Sequence, residues 1–353
     1  MKRIRLIAAV TFVCVLLMLL PVSASDAISA KAYVVFDADS GEVLAARNGE
    51  LRLPPASTTK IMTALLAIEC LPLKQSVEIT EFHASVEGSR MYLRVGETVS
   101  VSDLLYGLLL SSGNDAALAL AETAAGSVDA FVDRMNSKAQ ELGLENTRFV
   151  NPNGLPAEGH YSTALDLARL MAAAMQNETF AAICGTREAV VSGRTLVNHN
   201  RLLHTVPGVD GGKTGYTKAA GRCLVSTAQR NGRRIIVVTL NAPDDWQDHR
   251  ELYDRGFAQY RLVQLGDSLQ PLTVPVVGCD VLRLAVEIPA VSVHLSDTEL
   301  PLLESTIYLP HFCYAPVIRG VELGWVTWTV GKRTIASVRL CAAENAVCGI
   351  MPE

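Results

Sequence analysis

Residues 55–63 read Pro55-Ala56-Ser57-Thr58-Thr59-Lys60-Ile61-Met62-Thr63, and the chain beyond them to Cys70 is apolar nearly all round. Pro54-Pro55 ends extended chain, so a helix is expected from about Ser57 to Cys70. Ile61, Met62, Leu65, Leu66 and Ile68 leave it no polar face, the pattern of a buried central helix. Positions i and i+3 share a helix face, so the Ser57 hydroxyl and the Lys60 amine point into one site. A lysine on so apolar a helix is costly unless its charge is used or neutralised. Burial lowers its pKa and yields a neutral amine that can take a hydroxyl proton. Ser57 also sits at the helix N-terminus, where free N–H groups and the dipole favour negative charge. The competing reading is an N-cap serine beside a snorkelling lysine. The S-x-x-K spacing does not decide between them, because about one match is expected by chance in a chain of ordinary composition.

Outward from this helix, residues 32–46 read as a hairpin. Helices are expected over 102–110, 114–124, 129–142 and 164–176, with Asp103, Asp129 and Asp166 in or near first turns. After Gly185 the pattern changes to strands at 187–191, 194–197, 211–217, 222–230 and 233–240. An amphipathic helix over 246–260 then ends the first domain. From about 263 the chain is β-rich with many Pro and Gly, and strands are expected at 272–276, 281–286, 292–295, 317–318, 325–330 and 334–340. The reading is an α+β domain over 28–262, a small all-β domain over 263–341 and a tail over 342–353.

Length and composition bound the function. At 353 residues the chain holds about two domains, and with 49% hydrophobic and 19% charged residues it is neither disordered nor fibrous. A net charge of -5 with no basic run argues against nucleic-acid binding. One segment alone is apolar enough to reach a membrane, so the chain is not polytopic. Lys2, Arg3 and Arg5 precede the uncharged run Leu6–Leu20, then Pro21 and the small residues Val22-Ser23-Ala24. This is the order of a secretory signal over residues 1–24, with Ser25-Asp26-Ala27 as a second cleavage point. The competing reading is an uncleaved anchor, since residues 6–25 carry no charge. Cleavage removes three cations and takes the net charge from -5 to -8. Cys14 lies in that segment, which leaves seven of eight cysteines, an odd number without a C-x-x-C pair. That is neither a disulfide framework nor a zinc pattern. Cys341 and Cys348 are spaced to close a small loop, but buried thiols are the simpler reading. The histidines show no H-E-x-x-H spacing. Neither a metal nor another cofactor is implied.

Two further triplets carry chemical potential. Ser112-Gly113-Asn114 lies between two expected helices, and its serine and amide can face one cleft as proton relay and hydrogen-bonding group. Read structurally, it is a C-cap glycine followed by an N-cap asparagine. Lys213-Thr214-Gly215 lies in an expected edge strand after Asp210-Gly211-Gly212. It offers a cation and a hydroxyl to a carboxylate, and its glycine permits close backbone approach. Read structurally, it is an ordinary edge lysine beside a turn glycine.

Taken together, S-x-x-K, S-x-N and K-T-G occur once each and in that order, a known signature of penicillin-binding proteins and class A β-lactamases. The chain resembles the low-molecular-mass penicillin-binding proteins of the serine-type D-alanyl-D-alanine carboxypeptidase family. The flanks agree: Pro55 to Thr63, Ser112-Gly113-Asn114-Asp115-Ala116, Asn151-Pro152-Asn153-Gly154-Leu155 and Val209 to Thr217. Ala315-Pro316-Val317 with Gly320 and Gly324 resembles that family's β domain, so the likeness runs from about residue 28 to about 341. Glycine in the middle of S-G-N favours the peptidases over class A β-lactamases, and no E-x-x-x-N segment of the lactamase kind is evident. Asn153 stands where the family often has histidine. Only Cys341 to Glu353 follows the last expected strand, where the family usually adds an amphipathic anchor.

The resemblance implies a transpeptidase-like fold and a set of roles. Ser57 attacks the carbonyl of a terminal D-Ala-D-Ala bond and Lys60 is the general base. Ser112 relays a proton to the leaving amine, and Asn114 holds the substrate amide. Lys213 and Thr214 bind the terminal carboxylate, Gly215 lets the substrate approach, and the N–H groups of Ser57 and Tyr216 form the oxyanion hole. The implied partners are peptidoglycan stem peptides and β-lactams as acylating inhibitors, met outside the cytoplasm in the cell wall or at the membrane surface. The alternatives are a β-lactamase-like hydrolase, a DD-endopeptidase, or a wall-binding protein without turnover.

Overall fold

An antiparallel sheet held between two helical layers forms the first unit. In the computed structural model, which describes residues 28–266, 269 and 271–347, strands β1 (Ala32–Asp37) and β2 (Val43–Arg47) come first. A 3-10 turn (Ala56–Thr59) then leads into helix α1 (Lys60–Cys70). Strand β3 (Ser76–Glu78), helix α2 (Glu81–Ala84) and strand β4 (Thr98–Ser100) follow, the two strands paired as a ribbon. Next come helices α3 (Val101–Leu109), α4 (Asn114–Ala125), α5 (Val128–Glu141), α6 (Ala164–Met175) and α7 (Glu178–Cys184). A second ribbon, β5 (Glu188–Val191) with β6 (Arg194–Val197), precedes the single turn α8 (Leu202–Thr205). Three long strands, β7 (Val209–Thr217), β8 (Gly221–Arg230) and β9 (Arg233–Leu240), then lead to α9 (Asp245–Phe257). The sheet order is β2-β1-β9-β8-β7, so β7 is an edge strand as expected. The segment read as an export signal, with Cys14, lies outside the described residues.

Strand β9 shows why the layers form. Its Ile235-Ile236-Val237-Val238 run is apolar without alternation, the mark of a strand covered on both faces. Ile236, Val238 and Leu240 enter the large core around α1, whereas Ile235 and Val237 enter a second core with Leu252 and Tyr253 of α9. Every α1 residue from Lys60 to Ala67 is buried. Five helices begin on side chains that accept an N–H three residues on: Thr80 from His83, Ser100 from Asp103, Ser127 from Ala130, Thr163 from Asp166 and Asn177 from Phe180. Each such cap is worth about 1 kcal/mol.

The second unit is all β. Strands β10 (Tyr260–Leu265), β11 (Leu272–Val277), β12 (Arg283–Glu287), β13 (Val291–Ser296), β14 (Leu303–Tyr308), β15 (Cys313–Tyr314), β16 (Glu322–Val330) and β17 (Arg333–Ala342) build it. Six of them form a sheet of order β14-β16-β17-β12-β11-β15, and β10 pairs with β13. Several elements differ from expectation, among them β10 and β15, where the sequence pattern predicts no strand. The helix read to residue 260 ends at Phe257, because Tyr260 is already paired with Ser296. Residues 317–318 form no strand: Val317 makes one bridge, to Ala346, after Pro316, which has no N–H to give a ladder. Strand β14 gave no signal because its residues are exposed on nearly every side, so its pattern carries no apolar alternation.

A buried polar cluster joins the two units. Tyr260 donates to Asp37 Oδ2 at 2.6 Å, and Arg233 reaches the same carboxylate at 3.6 Å. Arg233 and Arg333 both close on Glu299, and Arg233 Nε donates to the His294 carbonyl at 3.2 Å.

Candidate active site

Three separate segments converge on Lys60. Its side chain is fully buried, and Nζ lies 3.0 Å from Ser57 Oγ, 2.7 Å from Asn114 Oδ1 and 2.6 Å from the Asn153 carbonyl. Burial pushes the Lys60 amine well below its ordinary pKa, the positive charge of Lys213 adds to this, and Asp115 opposes it. A neutral amine has two N–H groups and one lone pair. The carbonyl oxygens of Asn114 and Asn153 can accept only the N–H groups, so the lone pair is left for the Ser57 hydroxyl. The chain before the serine is held in a left-handed turn, with φ of 49° at Ala56. A residue with a Cβ adopts this only where its surroundings impose it, at about 1–3 kcal/mol.

The S-G-N turn supplies a second wall. Ser112 is buried with φ of 60° and lines the cavity above Ser57. Asn114 begins α4 and is committed at both ends, since Nδ2 donates to the Glu87 carbonyl at 2.7 Å while Oδ1 faces Lys60. Beside it Asp115, fully buried, accepts the N–H groups of Met91 at 3.0 Å and Leu93 at 3.1 Å. In the sequence Asp115 appears only as a flank of S-G-N; Met91 and Leu93 lie more than twenty positions away, and only the fold brings them to it.

The third wall is the free edge of β7. Gly212 N–H donates to Cys184 Sγ at 3.0 Å, and that thiol donates back to the Gly212 carbonyl at 3.4 Å. The polar backbone of Gly212 therefore points away from β8. Backbone direction repeats every second residue along a strand, so Thr214 and Tyr216 present their N–H and C=O groups on the same open side. Lys213 Nζ, donating to the Thr214 carbonyl at 2.7 Å, lies on that side too. Burial brings Lys213 down to about 7. Gly215 sits against the nucleophile turn: a Cβ there would lie 3.0 Å from Ser57 N and 3.2 Å from the Pro55 carbonyl oxygen. A side chain there would press on the nucleophile turn, so glycine lets β7 run close to Ser57 N.

A cavity of about 740 Å³ opens on Ser57, Ser112, Thr214 and Tyr216 and wraps around the β7 edge toward α9. On that far side it meets Arg222, which sequence reasoning missed. Arg222 donates to Asp245 Oδ1 through Nε at 3.0 Å and Nη2 at 2.6 Å, and its guanidinium lies 5.4 Å from the Trp246 ring. Arg222 faces Tyr216 across the β7–β8 register. Knowing that these strands form a hairpin, this pairing was within reach of the sequence. His199 also lines the cavity, and burial, with the charge of Lys213, holds it below the ordinary histidine pKa. Among the described residues no group of three His, Cys, Asp or Glu is placed to hold a metal. No helix among them is long and apolar enough to cross a membrane.

Residues 21–244 match the sequence model of the D-alanyl-D-alanine carboxypeptidase family, peptidase S11. The chain is 35% identical over 332 residues to the D-alanyl-D-alanine carboxypeptidase DacF of Bacillus subtilis, covering 90% of this chain and 85% of that protein. It is 39% identical over 241 residues to DacB2 of Mycobacterium tuberculosis, covering 65% and 82%. Among solved structures, penicillin-binding protein 5 of Haemophilus influenzae superposes with a TM-score of 0.66 at 29% identity, over 92% of this chain and 99% of that one. The DacD carboxypeptidase of Francisella tularensis does so with a TM-score of 0.65 at 30% identity, over 92% and 95%.

Proposed function

From the premise that the chain belongs to the D-alanyl-D-alanine carboxypeptidase family and is a serine-type hydrolase, we propose how its own residues carry the reaction. Ser57 Oγ attacks the carbonyl carbon of the last peptide bond of a peptidoglycan peptide ending in D-Ala-D-Ala, and its proton passes to the Lys60 lone pair. Ser57 N–H and Tyr216 N–H take up the oxyanion, where each donor is worth about 3 kcal/mol of barrier. The C–N bond breaks as Ser112 relays a proton to the departing amine of D-alanine. Water then cleaves the ester on Ser57. Lys213 and Thr214 hold the terminal carboxylate, and Arg222, kept in place by Asp245, adds a second cation at the same end. Asn114 positions Lys60 and keeps one N–H of Nδ2 for the substrate amide.

The observation that carries this reading is the buried Lys60 amine 3.0 Å from Ser57 Oγ with two acceptors on its N–H groups. It is tested by mass spectrometry after incubation with a β-lactam and, separately, with a D-Ala-D-Ala peptide. The expected result is one β-lactam adduct on Ser57 and release of one D-alanine. An adduct elsewhere, or a peptide left intact, overturns it.

Export belongs to the same reading, because the substrate lies outside the cytoplasm. The described chain begins tied down: Ser29 N–H and hydroxyl both donate to Asp248 at 2.8 Å. A mature start at Ser25 or Ile28 in N-terminal sequencing supports cleavage before this anchor. An intact Met1 or Lys2 supports a retained membrane segment in its place.

A further inference from the structure

Two glycines, Gly211 and Gly212, stand directly before Lys213, and glycine has the widest backbone freedom of any residue. Pairing with β8 holds one side of this stretch, through Gly212 to Ser226 and Lys213 to Val225. On the other side a buried brace takes hold of it. Asn200 Nδ2 donates to the Gly211 carbonyl at 3.1 Å, Gly212 N–H donates to Cys184 Sγ at 3.0 Å, and the Cys184 thiol donates to the Gly212 carbonyl at 3.4 Å. Both ends of the Gly211–Gly212 peptide unit are thus held, together with the carbonyl of the Gly212–Lys213 unit. Each unit is planar, so the two contacts residues fix the path of the chain into Lys213.

The brace is itself tied down. Asn198 links its two members, with Oδ1 accepting the Asn200 N–H at 2.9 Å and Nδ2 donating to the Cys184 carbonyl at 3.2 Å, while Asn200 Oδ1 accepts the Leu202 N–H at 3.1 Å. All three side chains are buried. Burial pushes the Cys184 thiol up to about 12, so near neutrality it stays protonated and keeps both its donor and its acceptor role. The glycines make room for the contacts: a Cβ at Gly212 would lie 2.7 Å from Asn200 Nδ2, and one at Gly211 3.2 Å from Cys184 Sγ. Among the described residues no carboxylate pairs with Lys213, whose Nζ donates to the Thr214 carbonyl. Its aim therefore depends on the backbone that carries it.

On the proposed reaction, on which this rests, Lys213 holds the terminal carboxylate. We infer that Cys184 and Asn200 are positioning residues that aim Lys213 at that carboxylate, and so set the preference for a free C-terminus without touching the substrate. The test is the ratio of kcat/KM on a D-Ala-D-Ala peptide acid to that on its C-terminal amide, read on one preparation of each variant. Neither this ratio nor KM depends on the amount of active enzyme, so a variant that folds only in part still reports. Cys184→Ala and Asn200→Ala should each narrow the wild-type ratio by about three- to tenfold, the worth of roughly one hydrogen bond. The acid's KM should rise while the amide's stays within about twofold. Cys184→Ser keeps a donor and an acceptor and should return the ratio to within about twofold of wild type. An unchanged ratio in both alanine variants, or a serine variant no better than alanine, overturns the inference. If wild type favours the acid and Lys213→Ala narrows the ratio while neither alanine variant of the brace does, carboxylate recognition stands and the brace alone has failed. If wild type favours neither substrate, both fall together.

Discussion

Lys60 Nζ stands 3.0 Å from Ser57 Oγ with its remaining hydrogen-bonding directions taken by Asn114 Oδ1 and the Asn153 carbonyl. The amine is thus aimed as well as shifted toward its uncharged form. Burial and Lys213 favour the uncharged form, and two acceptors leave its lone pair only one direction. The three contacts come from the turn before α1, the start of α4 and the loop after Pro152, so the base depends on the packing of three segments.

Removing either member of this pair should remove the acyl-enzyme. Ser57→Ala should show no β-lactam adduct by mass spectrometry while keeping its circular dichroism spectrum. Lys60→Ala should be nearly as damaging, at least about a thousandfold in acylation rate, because residues acting as one unit are not additive. A Lys60→Ala protein acylated within tenfold of wild type would remove Lys60 from the mechanism.

The two lysines also set a pH profile. Lys60 must lose its proton to serve as base, so kcat/KM rises with pH through that ionisation. Lys213 must keep its proton to hold a carboxylate, and in the free enzyme burial places its pKa at about 7. Activity on a peptide acid should therefore rise and then fall, with the falling limb starting near neutrality. A C-terminal amide needs no cation, so its profile should lack that falling limb. Identical limbs for acid and amide would separate Lys213 from carboxylate recognition.

Carboxylate recognition has a magnitude as well. Charge-assisted contacts contribute roughly 1.5–3 kcal/mol each, so the amide should lose at least about tenfold in kcat/KM. Lys213→Ala should narrow the gap by slowing the acid more than the amide. Arg222→Ala should narrow it less, about two- to fivefold, because that guanidinium is partly exposed and screened. Equal wild-type rates on acid and amide would favour endopeptidase or amidase chemistry instead.

How far these residues could be read from sequence follows from the range of the forces involved. The i, i+3 geometry of Ser57 and Lys60 is local, as are the first-turn carboxylates Asp103, Asp129 and Asp166 of α3, α5 and α6, and all were legible. The three motifs were legible only as a set, because nothing in each triplet says that it meets the others. Asp115 acts through N–H groups of the 87–93 loop and Arg222 through Asp245 and Trp246 of α9, partners that only the folded chain brings close. The short elements α2, α7, α8 and the β3–β4 ribbon left no periodicity of their own, since one or two turns cannot show a period. The end of α9 was misplaced for a tertiary reason, since pairing with β13 claims Tyr260.

Acid stability depends on a histidine away from the chemistry. His249 of α9 is fully buried, with Nδ1 2.7 Å from Ser226 Oγ and Nε2 3.0 Å from Thr239 Oγ1, so it ties the helix to β8 and β9. Burial holds it at about 3, against an ordinary value of 6.5. The folded state therefore binds fewer protons than the unfolded state between those two values, and stability rises with pH across that window. Its contribution is complete above about 6.5 and is lost as pH falls toward about 3, at up to about 1.4 kcal/mol per pH unit. Between pH 7 and 5 most carboxylates are ionised in both states, so the histidine effect stands out there. Urea unfolding should show a midpoint that drops as pH goes from 7 to 5. His249→Gln, less stable at pH 7 through looser packing, should show a shallower drop over the same interval. The same slope in the variant would mean that another group, such as His160 with its burial-lowered value of about 4, carries the acid sensitivity.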